Sequence, residues 1–199
     1  MSRFSNNTKD PSGSILIIGR AKVCDLDFDT LSKFDEVCYI NCAIPKHDTR
    51  INCVCVCCDA DYKRLYKSSH NAYGVYVPIF YTLGEMRKEK PVDTTLRKSE
   101  DFIFPRKVCE DMHVKVPELK HKKMGWTSTG IFRIFSAVFH ENWEKVSVYG
   151  FSHFNKDGTV RTPEEGMMDA YSKKTGTHSV DCEREVAEIC AKNKTIVVL

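Results

Sequence analysis

Long apolar runs are missing from this 199-residue chain. Nowhere does an uninterrupted apolar stretch approach the roughly 20 residues that a membrane-spanning helix needs. The opening residues MSRFSNNTKDPSGS are polar and carry Pro11 and Gly13. They have no apolar core of the kind a signal peptide requires, so residues 1–13 read as a disordered lead-in. From these two absences we expect no membrane span and a cytoplasmic location. A strong charge of one sign is lacking too, since 30 Lys and Arg stand against 27 Asp and Glu, for a net charge of +3. Where Lys115, Lys120, Lys122 and Lys123 cluster, Glu110, Asp111 and Glu118 are interspersed. That mixture reads as a solvated face, and nucleic acid is not an expected partner. After the first apolar strand the chain runs Gly19-Arg-Ala-Lys-Val-Cys. The absence of G-x-G-x-x-G there excludes the dinucleotide fingerprint of a dehydrogenase, and it speaks equally against a methyltransferase on a similar sheet.

Cysteine is plentiful, at ten residues, but its arrangement argues against a disulfide scaffold. Cys53, Cys55, Cys57 and Cys58 crowd one strand-like run, INCVCVCC, and neighbours along an extended strand are badly placed to bridge one another. No C-x-x-C pair recurs with zinc-finger spacing. Small buried apolar side chains in a reducing compartment are the expectation.

The apolar pattern alternates between strand and helix. Ser14 to Gly19 is a continuous apolar run ending in glycine, as in a central parallel strand. Val37 to Asn41 is a second strand after a helical or turn segment, Asp25 to Phe34; Ile51 to Cys58 is a third, and Gly74 to Phe80 is a weaker fourth broken by Pro78. Residues 82–98 are charged and aperiodic, and read as an excursion over one sheet edge. A final helix from Asp181 to Lys192 precedes a strand from Thr195 to Leu199. Length and order together predict one α/β domain over residues 14–199, built on a doubly wound, mainly parallel sheet.

The richest segment runs from Thr127 to Phe151, TSTGIFRIFSAVFHENWEKVSVYGF. Ser128, Thr129 and Gly130 stand where a helix begins, so their hydroxyls and free N–H groups can meet an anion at the positive end of the helix dipole. Ile131, Ile134, Phe135 and Val138 recur at i, i+3, i+4 and i+7. Val146, Val148 and Tyr149 then form a strand running into Gly150 and Phe151, and open α/β sheets bind ligands at such carboxyl ends. This segment resembles the second long sialyl motif of the animal-type sialyltransferases: P-S-T-G, an apolar helix, then V-H-V-Y-G-F. Ser128, Thr129, Gly130, Val146, Val148, Tyr149, Gly150 and Phe151 fit it, and Thr127 replaces the proline.

Two further segments extend the resemblance in the family's order. The first long motif opens with an apolar strand and G-N and closes in V-I-R-M-N-x-A-P. Here Ile15 to Gly19 supply the strand, and Val37, Asn41, Ala43 and Pro45 the close. Arg20 replaces the first asparagine; it faces a phosphate bidentately or lies in solvent as a turn residue. Resemblance implies that Asn41 hydrogen-bonds the nucleotide. His178-Ser-Val-Asp-Cys-Glu183 fits the short final motif, a histidine followed by four residues and a glutamate. It implies His178 as general base, with Glu183 capping the first helical turn or orienting the histidine; the alternative is a surface loop histidine.

Departures are also informative. Secretory members carry a cysteine in the first motif that bridges to one in the second, and Ile15 and Trp143 occupy the nearest positions here. This points to a cytosolic relative, microbial or viral, or to a domain folded where disulfides are not available. The H-Y-Y motif is not reproduced; Asp169-Ala-Tyr171 occupies the interval, and Tyr171 is a candidate phosphate ligand, as tyrosines are in some bacterial CMP-sialic acid-dependent sialyltransferases. Packing under the loop is its alternative. His153 is a further candidate for phosphate contact, against a polar loop role.

The resemblance therefore implies a Rossmann-like, GT-A-like variant sheet carrying a glycosyltransferase. A CMP-sialic acid donor lies at Gly19, Arg20, Asn41, Ser128, Thr129, Gly130, Gly150, Phe151, His153 and Tyr171. The hydroxyl of a glycan acceptor, such as a galactose-terminated one, attacks the donor's anomeric carbon with inversion, and no metal or other cofactor is implied. Asp59-Ala-Asp61 offers the competing pattern of a metal-dependent transferase, although aspartates after a strand are common turn residues. A catalytically degenerate module that only binds nucleotide or glycan is the alternative from a different class.

Overall fold

The computed structural model describes residues 13–19, 25–40, 45, 52–56, 72–76, 103–120, 127–141, 143–162, 164–165 and 180–199. For residues 52–56, 72–76, 103–107, 109, 119 and 120 only the backbone course is described. Arg20, Asn41, Tyr171, His178, Asp59, Asp61 and the stretch 82–98 lie outside the described residues.

Six strands form one sheet: β1 (Ser14–Ile18), β2 (Glu36–Ile40), β3 (Asn52–Val56), β4 (Ala72–Tyr76), β5 (Lys145–Tyr149) and β6 (Ile196–Val198). Their order is β4-β3-β2-β1-β5-β6, and every neighbouring pair is parallel. The chain thus steps outward from β1 to β4 and returns on the opposite side of β1. That reversal falls between β1 and β5, where a parallel sheet opens a crevice beyond its carboxyl ends. β4 sits earlier than the sequence suggests and ends before Pro78, whose missing N–H cannot join a ladder.

Continuous apolar strands bury both faces. Ile15 and Ile17 of β1 join Cys38, Ile40, Val146 and Val148 in one cluster, while Leu16 and Ile18 join Val37, Tyr39 and Tyr149 in another. The second face is closed by Leu31 of the single turn α1 (Phe28–Leu31) and by Phe34. The first lies under α2 (Ile103–Lys115), α3 (Thr129–Phe139) and α4 (Val180–Asn193). Helix α2 is absent from the sequence reading, although Val108, Met112 and Val116 recur at four-residue spacing and are all buried. Pro105 lies in its first turn, where no intrahelical N–H is needed. Cys38, Cys182 and Cys190 are buried, and burial pushes the Cys190 thiol up to about 12.

Helix α3 is covered on all sides: every residue from Thr129 to Val138 is buried. The amphipathic stripe read from sequence is therefore too narrow, and Arg133, at 1% exposure, is the price of that enclosure. Its guanidinium pairs with Glu141 and, at 3.0 Å, with Glu36 at the start of β2. Glu141 also accepts from Ser136 Oγ at 2.5 Å and Trp143 Nε1 at 2.7 Å. Removing one member of a buried pair leaves an uncompensated charge and costs about 3–5 kcal/mol. Arg133→Met is expected to lower the unfolding free energy from urea denaturation by that amount; an unchanged value would show that Glu36 and Glu141 do not depend on it.

Candidate functional site

The carboxyl ends of β1 and β5 meet at Gly19 and Gly150. Gly19 continues the ladder by donating its N–H to the Tyr149 carbonyl at 2.7 Å, and Gly150 turns the chain out of the sheet at a φ of 71°. Phe151 then lays its ring against two glycines. A Cβ on Gly19 would come within 2.6 Å of the Gly150 carbonyl and 2.9 Å of the ring, and one on Gly130 would lie 2.5 Å from the ring. Both glycines are thus required by Phe151, a packing role that sequence reading did not foresee. On the opposite face the Tyr149 hydroxyl donates to the Asp25 carboxylate.

Ser128 caps α3. Its extended backbone (φ −64°, ψ 155°) lets Oγ accept from the Ile131 N–H at 3.4 Å. In a capping box, a Glu three residues on would receive the cap residue's own N–H, but that position is Ile131. Glu183 of α4 fills the role through space: its carboxylate accepts the Ser128 N–H and, at 3.2 Å, the Ser128 hydroxyl. A carboxylate at this end of a helix is favoured by the dipole. The amides of Thr129 and Gly130 have no hydrogen-bond partner among the described residues and are the open donors of the helix end.

Glu183 is fully buried and also meets His153, whose Nε2 lies 2.5 Å from Oε2. With the carboxylate as acceptor, the imidazole donates from Nε2. Its Nδ1 is buried without a partner among the described residues, and the residue is 7% exposed. Glu183 therefore joins three separate elements: the start of α3, the first turn of α4 and the loop after β5.

That loop continues as a short ribbon. Phe154 bridges Val160 in antiparallel fashion, Asn155 N–H donates to the Thr159 carbonyl at 2.8 Å, and Gly158 turns it at a φ of 84°. Phe154 anchors the ribbon in the core. The Arg161 N–H donates to the His153 carbonyl at 2.9 Å, which places the two residues opposite each other.

Of the residues proposed from sequence, Gly19, Ser128, Thr129, Gly130, Gly150, Phe151, His153 and Glu183 gather at this one edge of the sheet. Glu183 reaches α3 and His153; its sequence assignment had it serve its own helix or the histidine at 178. Ser128, assigned to a ligand anion, has its N–H and hydroxyl committed to Glu183. His178, Arg20, Asn41 and Tyr171 lie outside the described residues, as do the Asp59 and Asp61 pattern. Among the described residues no group of His, Cys, Asp and Glu is arranged to hold a metal ion, and no helix is long and apolar enough to cross a membrane. Arg161 was missed, because only the ribbon brings it beside His153.

Two substitutions check this geometry. Gly130→Ala is expected to cost about 1–3 kcal/mol by overpacking against Phe151. In the Phe151→Ala background the penalty should largely vanish, a coupling that a double-mutant cycle of unfolding free energies measures. Glu183→Ala strips Ser128 and His153 of their shared acceptor and should cost about 3 kcal/mol, seen as a lower melting temperature; a neutral effect would mean that water replaces the carboxylate freely.

Comparison of the chain with protein-family models, with curated proteins and with solved structures gave no match.

Proposed function

We propose that this chain is a sialyltransferase-like glycosyltransferase that moves sialic acid, or a related nonulosonic acid, from a CMP-sugar to a glycan hydroxyl. One observation carries the reading: the three segments that resemble the sialyl motifs, far apart along the chain, are in mutual contact. Phe151 packs on Gly19 and Gly130, and Glu183 holds Ser128. They meet at the reversal of a parallel strand order, the place where open α/β sheets take nucleotides, which supports a doubly wound sheet of Rossmann-like, GT-A-like variant type. Ile15 and Trp143, standing where secretory members have bridged cysteines, belong to the same apolar cluster.

In this reading the donor lies across the carboxyl edge, its anionic groups met by the Thr129 and Gly130 amides at the amino end of α3. Arg20, Asn41 and Tyr171 complete the nucleotide contacts. His178, just upstream of α4 in the chain, takes the acceptor proton. The acceptor oxygen bonds to the anomeric carbon on the face opposite the phosphate. The anomeric carbon–oxygen bond to CMP breaks, and the phosphate keeps the electron pair.

The occupation of Ser128 by Glu183 favours a second reading, a nucleotide- or glycan-binding module without turnover, since an internal carboxylate already takes donors that an active site would otherwise offer. CMP release from CMP-sialic acid separates the two. The wild type is expected to turn over in the presence of a strong chelator, and His178→Ala to be slower by about 10²–10⁴-fold. Equal background rates in both would leave only the binding module.

A further inference from the structure

We propose that His153 and Arg161, facing each other on the ribbon after β5, form a second wall of the ligand crevice that binds the phosphate of the nucleotide. The inference rests on the nucleotide reading above and adds to it a residue and a division of labour. Three observations carry it. First, the carboxylate of Glu183 already fills the anion seat at Ser128, so an incoming phosphate needs positive donors beyond the helix end to offset that charge. Second, His153 is 7% exposed, is fixed to the helix end through Glu183, and keeps a buried Nδ1 with no partner among the described residues. Buried polar atoms without partners are uncommon, and each one calls for an explanation. Third, the Arg161 Nε is likewise buried and unpartnered, and the guanidinium makes no ion pair among the described residues.

Register brings the two together. Phe154 bridges Val160, and the Arg161 N–H binds the His153 carbonyl. Residues 153 and 161 therefore oppose each other, and directly opposed side chains leave the same face of a ribbon. Phe154 and Val160, one step along, turn to the core. With Nε2–H held by the carboxylate, His153 donates to a phosphate through Nδ1–H as the imidazolium, and a guanidinium offers Nε–H with Nη–H in the fork that matches a phosphate. Phosphate is favoured over a carboxylate because two donor groups on adjacent strands suit an acceptor with several peripheral oxygens.

The test compares CMP, cytidine and inorganic phosphate on the full chain by calorimetry, with the His153 ring nitrogens followed by NMR of histidine-labelled protein. Wild type is expected to prefer CMP over cytidine, and Arg161→Gln and His153→Gln each to reduce that preference roughly 10- to 100-fold while leaving cytidine binding unchanged. Arg161→Lys should retain part of it, and a native circular dichroism spectrum shows that the variants are folded. CMP binding with an intact preference in Arg161→Gln overturns the wall but not the nucleotide reading. If no cytidine nucleotide binds, the nucleotide reading falls, and inorganic phosphate decides the inference alone. A shift of the His153 Nδ1 signal that Arg161→Gln abolishes upholds the anion site; no shift overturns it.

Discussion

A carboxylate withdrawn completely from water must be given donors, and Glu183 receives them from two other parts of the chain. The Ser128 N–H and hydroxyl approach from α3, and the His153 imidazole from the loop after β5. Because each of these donors belongs to a different element, satisfying one charge sets the relative position of three. The start of α4 cannot move from the start of α3 without exposing an unpaired charge to an apolar interior, at a cost of several kcal/mol. The candidate site owes its shape to this constraint more than to any loop.

Apolar packing at the same edge acts in concert. Phe151 fills the space left by two absent side chains, at Gly19 and Gly130, and so brings the end of β1 against the first turn of α3. The ring and the buried carboxylate together shape the sheet edge at the strand-order reversal, one by packing and the other by charge. From the middle of α3, Arg133 reaches out to form a polar clamp with Glu36 and Glu141. This enclosed helix is thus pinned by ionic groups at the sheet's lower edge and by capping at its upper edge. Such a frame leaves the amides of Thr129 and Gly130, together with His153 and Arg161, as groups with bonding capacity to offer a ligand.

The strands were legible because their residues carry the information locally. Ser14 to Ile18 and Glu36 to Ile40 are apolar at every buried position, and a run without alternation announces a strand covered on both faces. Ser128 ahead of an apolar period announced a helix start. Helix α2 was not legible, since its charged residues between Val108 and Met112 blur the period and Pro105 near its start suggests a break. The enclosure of Arg133 was hidden for a related reason: an arginine inside an apolar run signals an exposed face unless its partners are known, and these lie 97 and 8 residues away.

By itself the sequence determined the parallel α/β character, the course of β1, β2 and β5, the start of α3 and the set of small residues around it, because each depends on the chemistry of neighbours a few positions apart. Tertiary structure alone decided what those residues do. Whether Ser128 faces a ligand or a carboxylate, whether Gly130 admits a substrate or an aromatic ring, and which histidine Glu183 holds are questions of distance between segments. Hydrogen bonds and close packing act over about 3–4 Å, so these outcomes depend on how the sheet folds the chain back on itself, and no local pattern encodes them.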